Sequence, residues 1–126
     1  MDKIEDVTLA NMIARTTELS QFVRRTPTIK LASEKLKKSL SGAELFLKLE
    51  CMQHTGTFKA RGAISVALQI PNHKVGCGIT AASAGNHAIA ASWAAKQMNT
   101  NAKVVMASTA NPYRIELAKR YGGEVI

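Results

Sequence analysis

Aromatic residues make up only 5% of this 126-residue chain, cysteines number two, and no apolar run approaches membrane-spanning length. Each scarcity removes a class of function. Single-stranded nucleic acid is held largely by bases stacking on aromatic side chains, and here the net charge of +8 is scattered along the sequence. Arg24 and Arg25, Lys48, Lys59 and Arg61, and Lys119 and Arg120 stand apart. Only Lys35, Lys37 and Lys38 in "SEKLKKS" are dense, and they read as the solvated face of a helix. No nucleic-acid partner is therefore expected. A bilayer needs about 20 consecutive apolar residues, so no membrane partner is expected either. The opening "MDKIEDVTLANMIA" is acidic and lacks the charged-then-apolar layout of a secretion signal, which points to the cytoplasm. Cys51 and Cys77 lack C-x-x-C spacing, and Cys77 in "KVGCGIT" falls in what reads as a buried strand. Packed, reduced thiols fit that pattern better than a disulfide. His54, His73 and His87 have no carboxylate or second histidine at ligand spacing, so no metal is expected.

What is present is a globular balance, 46% hydrophobic and 21% charged, in a chain about one domain long. Val7, Met12, Ile13 and Leu19 recur at roughly helical spacing behind Asp2, Glu5 and Asp6, giving a first helix over 5–19. In "RRTPTIKL" the proline makes Thr26 extended and leads into a short strand. "SEKLKKSL" is a helix with Ser33 as its cap and Gly42 near its end. "AELFLKLE" alternates as a strand does. After Gly56, the residues Phe58, Gly62, Ala63, Val66, Ala67 and Ile70 mark one helical face, which Pro71 stops. "VGCGITAAS" and "NAKVVMAS" read as buried strands. Between them "GNHAIAASWAAKQM" is a small-residue helix in which Trp93 is packing material. "NPYRIELAKRYGG" is a helix capped by Asn111, with Pro112 at its first position and Arg114 and Lys119 as solvated charges. "EVI" opens one more strand. From residue 44 the order β-α-β-α-β-α-β predicts an α/β fold, an open parallel sheet with helices on both faces.

Ligands of such sheets gather at the carboxyl ends of the strands, where two loops run straight into helices: "QHTGTFKARG" and "TAASAGNHA". The first is not a P-loop, because neither Lys59 nor Arg61 follows the second glycine of the pair Gly56 and Gly62. "GCG" lacks the third glycine of a dinucleotide fingerprint. Lys59 nevertheless stands where a cation opposes the helix dipole. Burial, the charge of Arg61 and the helix N-terminus would each disfavour its ammonium form, as a nucleophilic amine requires. A surface lysine lying over an apolar face is the other reading. In the second loop Ser83, Gly85, Asn86 and His87 stand at a helix N-terminus. That arrangement serves either as an anion site of backbone N–H groups or as a plain helix cap.

The blocks "TPTIKL", "ELFLKLE", "QHTGTFKARGA", "TAASAGNHAIA" and "NPYRIELAKRYGGEVI" together resemble threonine dehydratases. More widely, they resemble the fold type II pyridoxal-phosphate enzymes, which include serine dehydratases and serine racemases. The likeness covers residues 24–126, with every block in order. Thr57 stands where the family more often has serine, and "ECMQHTG" departs from the usual block while keeping Gln53 and Thr55.

The resemblance implies the cofactor pyridoxal 5'-phosphate, with Lys59 as the Schiff-base lysine, Phe58 packing near the ring and Asn86 bonding the ring's 3'-oxygen. Ser83, Ala84, Gly85, Asn86 and His87 would form the loop that takes the substrate's carboxylate. The implied reaction is dehydration of threonine or serine to a 2-oxo acid and ammonia. Racemases of the group commonly carry a serine where this chain has Ala84, which favours dehydration over racemisation. By the same resemblance residues 1–50 form an arm belonging to a larger cofactor domain, and residues 51–126 form a small α/β domain incomplete at its C-terminus. The glycine-rich phosphate cradle would lie beyond residue 126, so the chain is expected to be an N-terminal fragment, inactive alone. A racemase-like activity and a non-catalytic, self-associating remnant are the alternatives. Association as a homo-oligomer is expected in either case.

Overall fold

Residues 8–126 are described by the computed structural model, so the start of the expected first helix, with Asp2, Glu5, Asp6 and Val7, lies outside the described residues. Helix α1 (Leu9–Leu19) starts at Thr8, whose hydroxyl accepts the Asn11 N–H at 3.2 Å. Strand β1 (Thr28–Lys30) follows Pro27, then come α2 (Glu34–Ser39) and β2 (Phe46–Lys48). Two 3-10 turns, Glu50–Met52 and His54–Gly56, lead into α3 (Lys59–Ala67) and the single turn α4 (Asn72–Val75). The remainder is β3 (Ile79–Ala82), α5 (Asn86–Gln97), β4 (Ala102–Val105), α6 (Pro112–Arg120) and β5 (Gly123–Val125).

The α/β class and the open parallel sheet are as the sequence predicts, with β3, β4 and β5 adjacent in that order and parallel. Two details differ. The strand in "AELFLKLE" does not join this sheet: β2 pairs antiparallel with β1, Thr28 opposite Lys48 and Lys30 opposite Phe46. Alternation reveals that a segment is a strand but not its partner, and β1 is the nearer one along the chain.

The helices α5 and α6, expected on both faces, share one. Each crossover steps to the next strand in the same direction, and right-handed crossovers stepping one way put their helices on one side. Ala102 and Val104 of β4 point into that side and are buried, whereas Lys103 and Val105 are exposed. Lys103 Nζ meets Glu124 of β5 at 3.4 Å on the open face.

Helix α5 is the centre of the domain, since every residue from Ala88 to Ala95 is buried. A helix buried all round has partners all round. Ala88, Ile89 and Ala91 pack with Val104, Met106 and Ala118 on the sheet side. Trp93 and Ala94 pack with Leu19, Ala60, Ile64 and Ala67 on the other. This places the buried face of α3 on Ala60, Ile64 and Ala67, so of the expected stripe only Ala67 is fully buried. Phe58 and Val66 are 59% and 67% exposed. Small alanines let α3 approach α5 closely around the buried Ile64, and Phe58 and Val66 are left outside. Cys77, expected inside a strand, lies two residues before β3 and is exposed, as is Cys51.

Packing at the end of the sheet depends on one glycine. A Cβ on Gly123 would lie 2.2 Å from Ser92 Oγ and 3.2 Å from the Ala118 carbonyl oxygen. The Ser92 hydroxyl is itself fixed by donating to Ala88 O at 2.9 Å. Gly123→Ala should cost about 1–3 kcal/mol through overpacking, read as a lowered urea midpoint. Adding Ser92→Ala should recover only part, because the Ser92 Cβ (3.0 Å) and the Ala118 carbonyl remain in the way.

Candidate functional site

The residues expected to carry chemistry sit in the first turns of two helices, α3 and α5. An apolar groove between these helices and β3 is lined by Gly62, Val66 and Ile70 on one side and by His87, Ala91 and Ala94 on the other. The two helices pack against each other through Ala60, Ile64 and Ala67 of α3 and Trp93 and Ala94 of α5. The turn before α3 is built from unusual backbone. Thr55 has φ 63° and Gly56 φ 71°, and for a β-branched residue the left-handed region is a true outlier. Thr55 is also buried, and its hydroxyl oxygen is the buried side-chain atom without a hydrogen-bond partner among the described residues. Two costs thus fall on one residue four positions before Lys59, a pattern typical of functional sites.

Lys59 opens α3 and is exposed, its Nζ 5.1 Å from the centroid of the Phe58 ring. Its own N–H donates to Thr57 Oγ1 at 3.3 Å, and Phe58 at the cap position offers no side-chain cap. The expected causes of a neutral amine need correction here: Lys59 is not buried, and Arg61 points elsewhere. Arg61 Nε and Nη2 donate to the two oxygens of Glu50, both at 2.9 Å. Nη2 also reaches Arg24 O at 3.0 Å. The hydrogen bond from Arg61 holds the Glu50 carboxyl below the usual carboxylate range against the opposing effect of burial, and Thr26 assists by donating to Oε1 at 2.5 Å. The same bond raises Arg61 above its ordinary value. With its charge committed, Arg61 is neither a helper of the amine nor a solvated charge.

The second loop places Ser83, Ala84, Gly85, Asn86 and His87 where β3 passes into α5. Ser83 N–H donates to Val105 O at 3.0 Å, extending the ladder into the loop. The helix-cap reading does not hold: Gly85 occupies the cap position with no side-chain cap, and Ser83 Oγ accepts only from Gly85 N–H, at 3.2 Å. Asn86 is already the first helical residue. The N–H groups of the first turn of α5 are consequently not met by a side-chain cap. Arg114, expected as a solvated charge, comes over from the first turn of α6: a Cβ on Gly85 would lie 2.4 Å from its Nη1. Sequence spacing gave no sign of this approach across two βα units.

His54 stacks on Trp93, centroids 5.3 Å apart and planes inclined by 17°. Burial, aided by the charge of Arg24, lowers its pKa from the ordinary imidazole value. A lowered folded-state pKa means the unfolded chain binds the proton more readily, so stability is complete above the ordinary value and falls as pH drops through it. Melting temperature should decline with acid across that range, and His54→Phe, which keeps the stack, should flatten the decline. Among the described residues no group of three or more His, Cys, Asp or Glu side chains is placed to hold a metal. No described helix is long and apolar enough to cross a membrane.

The family described as pyridoxal-phosphate dependent enzyme matches residues 19–126. Phenylserine dehydratase of Ralstonia pickettii is 38% identical over the whole chain and 39% of its own length. The catabolic L-threonine dehydratase of Staphylococcus aureus is 40% identical over 95% of the chain and 34% of its own length. Among solved structures, maize serine racemase superposes with a TM-score of 0.80 at 31% identity, over 94% of this chain and 35% of that one. The chain thus spans a third to two-fifths of the length of these relatives.

Proposed function

The chain belongs to the pyridoxal-phosphate-dependent enzymes, and from that premise we propose that it is part of a lyase acting on a small hydroxy amino acid. The reaction is dehydration of threonine or serine to a 2-oxo acid and ammonia. The observation that carries this reading is the N-terminus of α5, which no side chain caps, on a helix packed against the one that Lys59 opens. The residues present fit the reactive end of the cofactor. An exposed primary amine, the amide of Asn86, a row of N–H groups and the unpartnered buried hydroxyl of Thr55 suit a molecule bearing an aldehyde, a ring oxygen and negative charge.

When bound, pyridoxal phosphate supplies an electron sink for the bond being broken at the α-carbon. The chain's own residues do the rest. Lys59 Nζ would hold the cofactor's aldehyde carbon, and as a free amine it would accept the substrate's α-proton. The loop of residues 83–87 takes the substrate carboxylate through N–H groups other than those of Ser83 and Gly85, which already bond Val105 O and Ser83 Oγ, and orients the α-carbon–hydrogen bond towards Lys59. Asn86 would donate to the ring oxygen, and Phe58 would flank the ring. Loss of the α-proton and of the β-hydroxyl as water leaves an enamine, which water hydrolyses to the 2-oxo acid and ammonia.

Racemisation is the second reading, supported by the likeness to maize serine racemase. It needs a second acid/base on the opposite face of the substrate, and Ala84 has no group to give. For the complete enzyme of which the chain is part, with L-serine and L-threonine as substrates and pyridoxal phosphate supplied, the expected products are 2-oxo acids with ammonia in equal amounts. D-serine without 2-oxo acid would overturn the assignment in favour of racemisation. In the same reading residues 1–50 form an arm of a larger cofactor domain and residues 51–126 the small domain. The exposed thiols of Cys51 and Cys77 suit the reducing cytoplasm. The exposed apolar side chains of Leu9, Met12 and Ile13 on α1 suit burial against a second copy in a homo-oligomer.

A further inference from the structure

The turn that carries Lys59 is moored at both ends to one backbone residue far away in sequence. At its start, Gln53 bonds Arg24 twice: Oε1 accepts the Arg24 N–H at 3.0 Å and Nε2 donates to Arg24 O at 2.8 Å. The same Oε1 also accepts the His54 N–H at 2.9 Å. At its end, Arg61 donates to the same Arg24 carbonyl at 3.0 Å while its fork closes on Glu50. Thr26 joins Glu50 from the arm side, and Lys48 Nζ donates to Thr26 O at 2.6 Å. Gln53 and Thr26 are buried, and Glu50 and Arg61 keep 18% and 31% of their side-chain exposure, so water competes only in part.

Between these moorings lie the two left-handed residues Thr55 and Gly56, where Gly56 N–H donates to Gln53 O at 2.9 Å, and Phe58, which offers α3 no side-chain cap. Lys59 and Arg61 are two residues apart on a helix, hence about 200° around its axis. Arg61 therefore grips the back of the turn whose front presents Lys59. We propose that Glu50, Arg61 and Gln53, closing on Arg24 and Thr26, form a positioning device that fixes the direction of the Lys59 amine. Arg61 and Gln53 are positioning residues in this account. They touch neither substrate nor cofactor, and act by holding the lysine-bearing turn to the N-terminal arm. A bidentate guanidinium–carboxylate pair suits the task because its planar fork sets orientation as well as distance. The proposal rests on the reading of Lys59 as the amine that takes the cofactor.

The test has two arms on the full chain, both run well below the melting temperature. In the first, the protein is mixed with pyridoxal 5'-phosphate, reduced with borohydride at timed intervals, and labelling of the Lys59 peptide is followed by mass spectrometry. Arg61→Ala should slow labelling at Lys59 by about tenfold, the order expected on losing hydrogen bonds to a charged group, while labelling at Lys119 stays unchanged. Arg61→Lys, which keeps the charge but not the fork, should fall between. In the second arm, amide hydrogen exchange over residues 53–61 is measured without cofactor, and Arg61→Ala should accelerate it relative to α5. Glu50→Gln keeps the shape of the pair and serves if Arg61→Ala does not fold; it should move both readouts the same way, by less. Wild-type labelling at Lys59 in Arg61→Ala, or unchanged exchange over 53–61, overturns the proposal even if the melting temperature drops. If the wild-type chain shows no preference for Lys59, the reading of that lysine fails, and exchange alone still decides whether the mooring exists.

Discussion

Lys59→Ala should abolish the absorbance of covalently held cofactor and, in the complete enzyme of which the chain is proposed to be part, should lower dehydration by at least about 10²–10⁴-fold, the usual contribution of one general base. The loss should be confined to chemistry. Lys59 is exposed, and the contact given for its amine is the neighbouring Phe58 ring, so the melting temperature should stay within the narrow range expected of a surface change. Lys59→Arg keeps the positive charge but offers a group that does not deprotonate, and should be as inactive as the alanine variant. A persisting cofactor absorbance in Lys59→Ala would mean that another amine holds the aldehyde.

Ile64→Ala should destabilise the domain by about 2–5 kcal/mol. Ile64 is fully buried where α3 meets α5, among Leu19, Ala60, Trp93 and Ala94. Truncation there opens a cavity that the surrounding alanines are too short to fill. The paired control is Val66→Ala, one turn face away and 67% exposed, which should change stability by about 0.5 kcal/mol or less. Equal losses at the two positions, measured by urea unfolding, would place the packed face of α3 where the sequence pattern had put it rather than where the structure does.

That contrast also marks how far the sequence could be read. The alternation of strands and helices, the cap at Asn111 and the helix start after Gly85 were legible because each is decided within a few residues of chain. Asn111 accepts the Tyr113 N–H at 2.9 Å with Pro112 following it, as local cap chemistry requires. The face of α3 was partly misjudged because large apolar side chains dominate a helical pattern, whereas packing against α5 takes Ile64 with the small Ala60 and Ala67 and leaves Phe58 and Val66 outside. Strand pairing and helix sidedness were not legible, since both depend on the spatial order of strands. In the candidate site the residue types were legible and their partners were not. Arg61 meets Glu50 across 11 positions and Arg24 across 37, and Arg114 reaches Gly85 from a different βα unit. Such contacts exist only once the arm, the 3-10 turns and α3 have come together.

The central claim is that one lysine among many is set apart by the turn that carries it. Its most direct test is reduction of the protein with borohydride in the presence of pyridoxal 5'-phosphate, followed by peptide mapping of the modified sites. The account predicts a single dominant label on the peptide containing Lys59, lost when a competing hydroxy amino acid is added before reduction. Labels spread over the exposed lysines in proportion to their number, with Lys59 no different from Lys103 or Lys119, would contradict it.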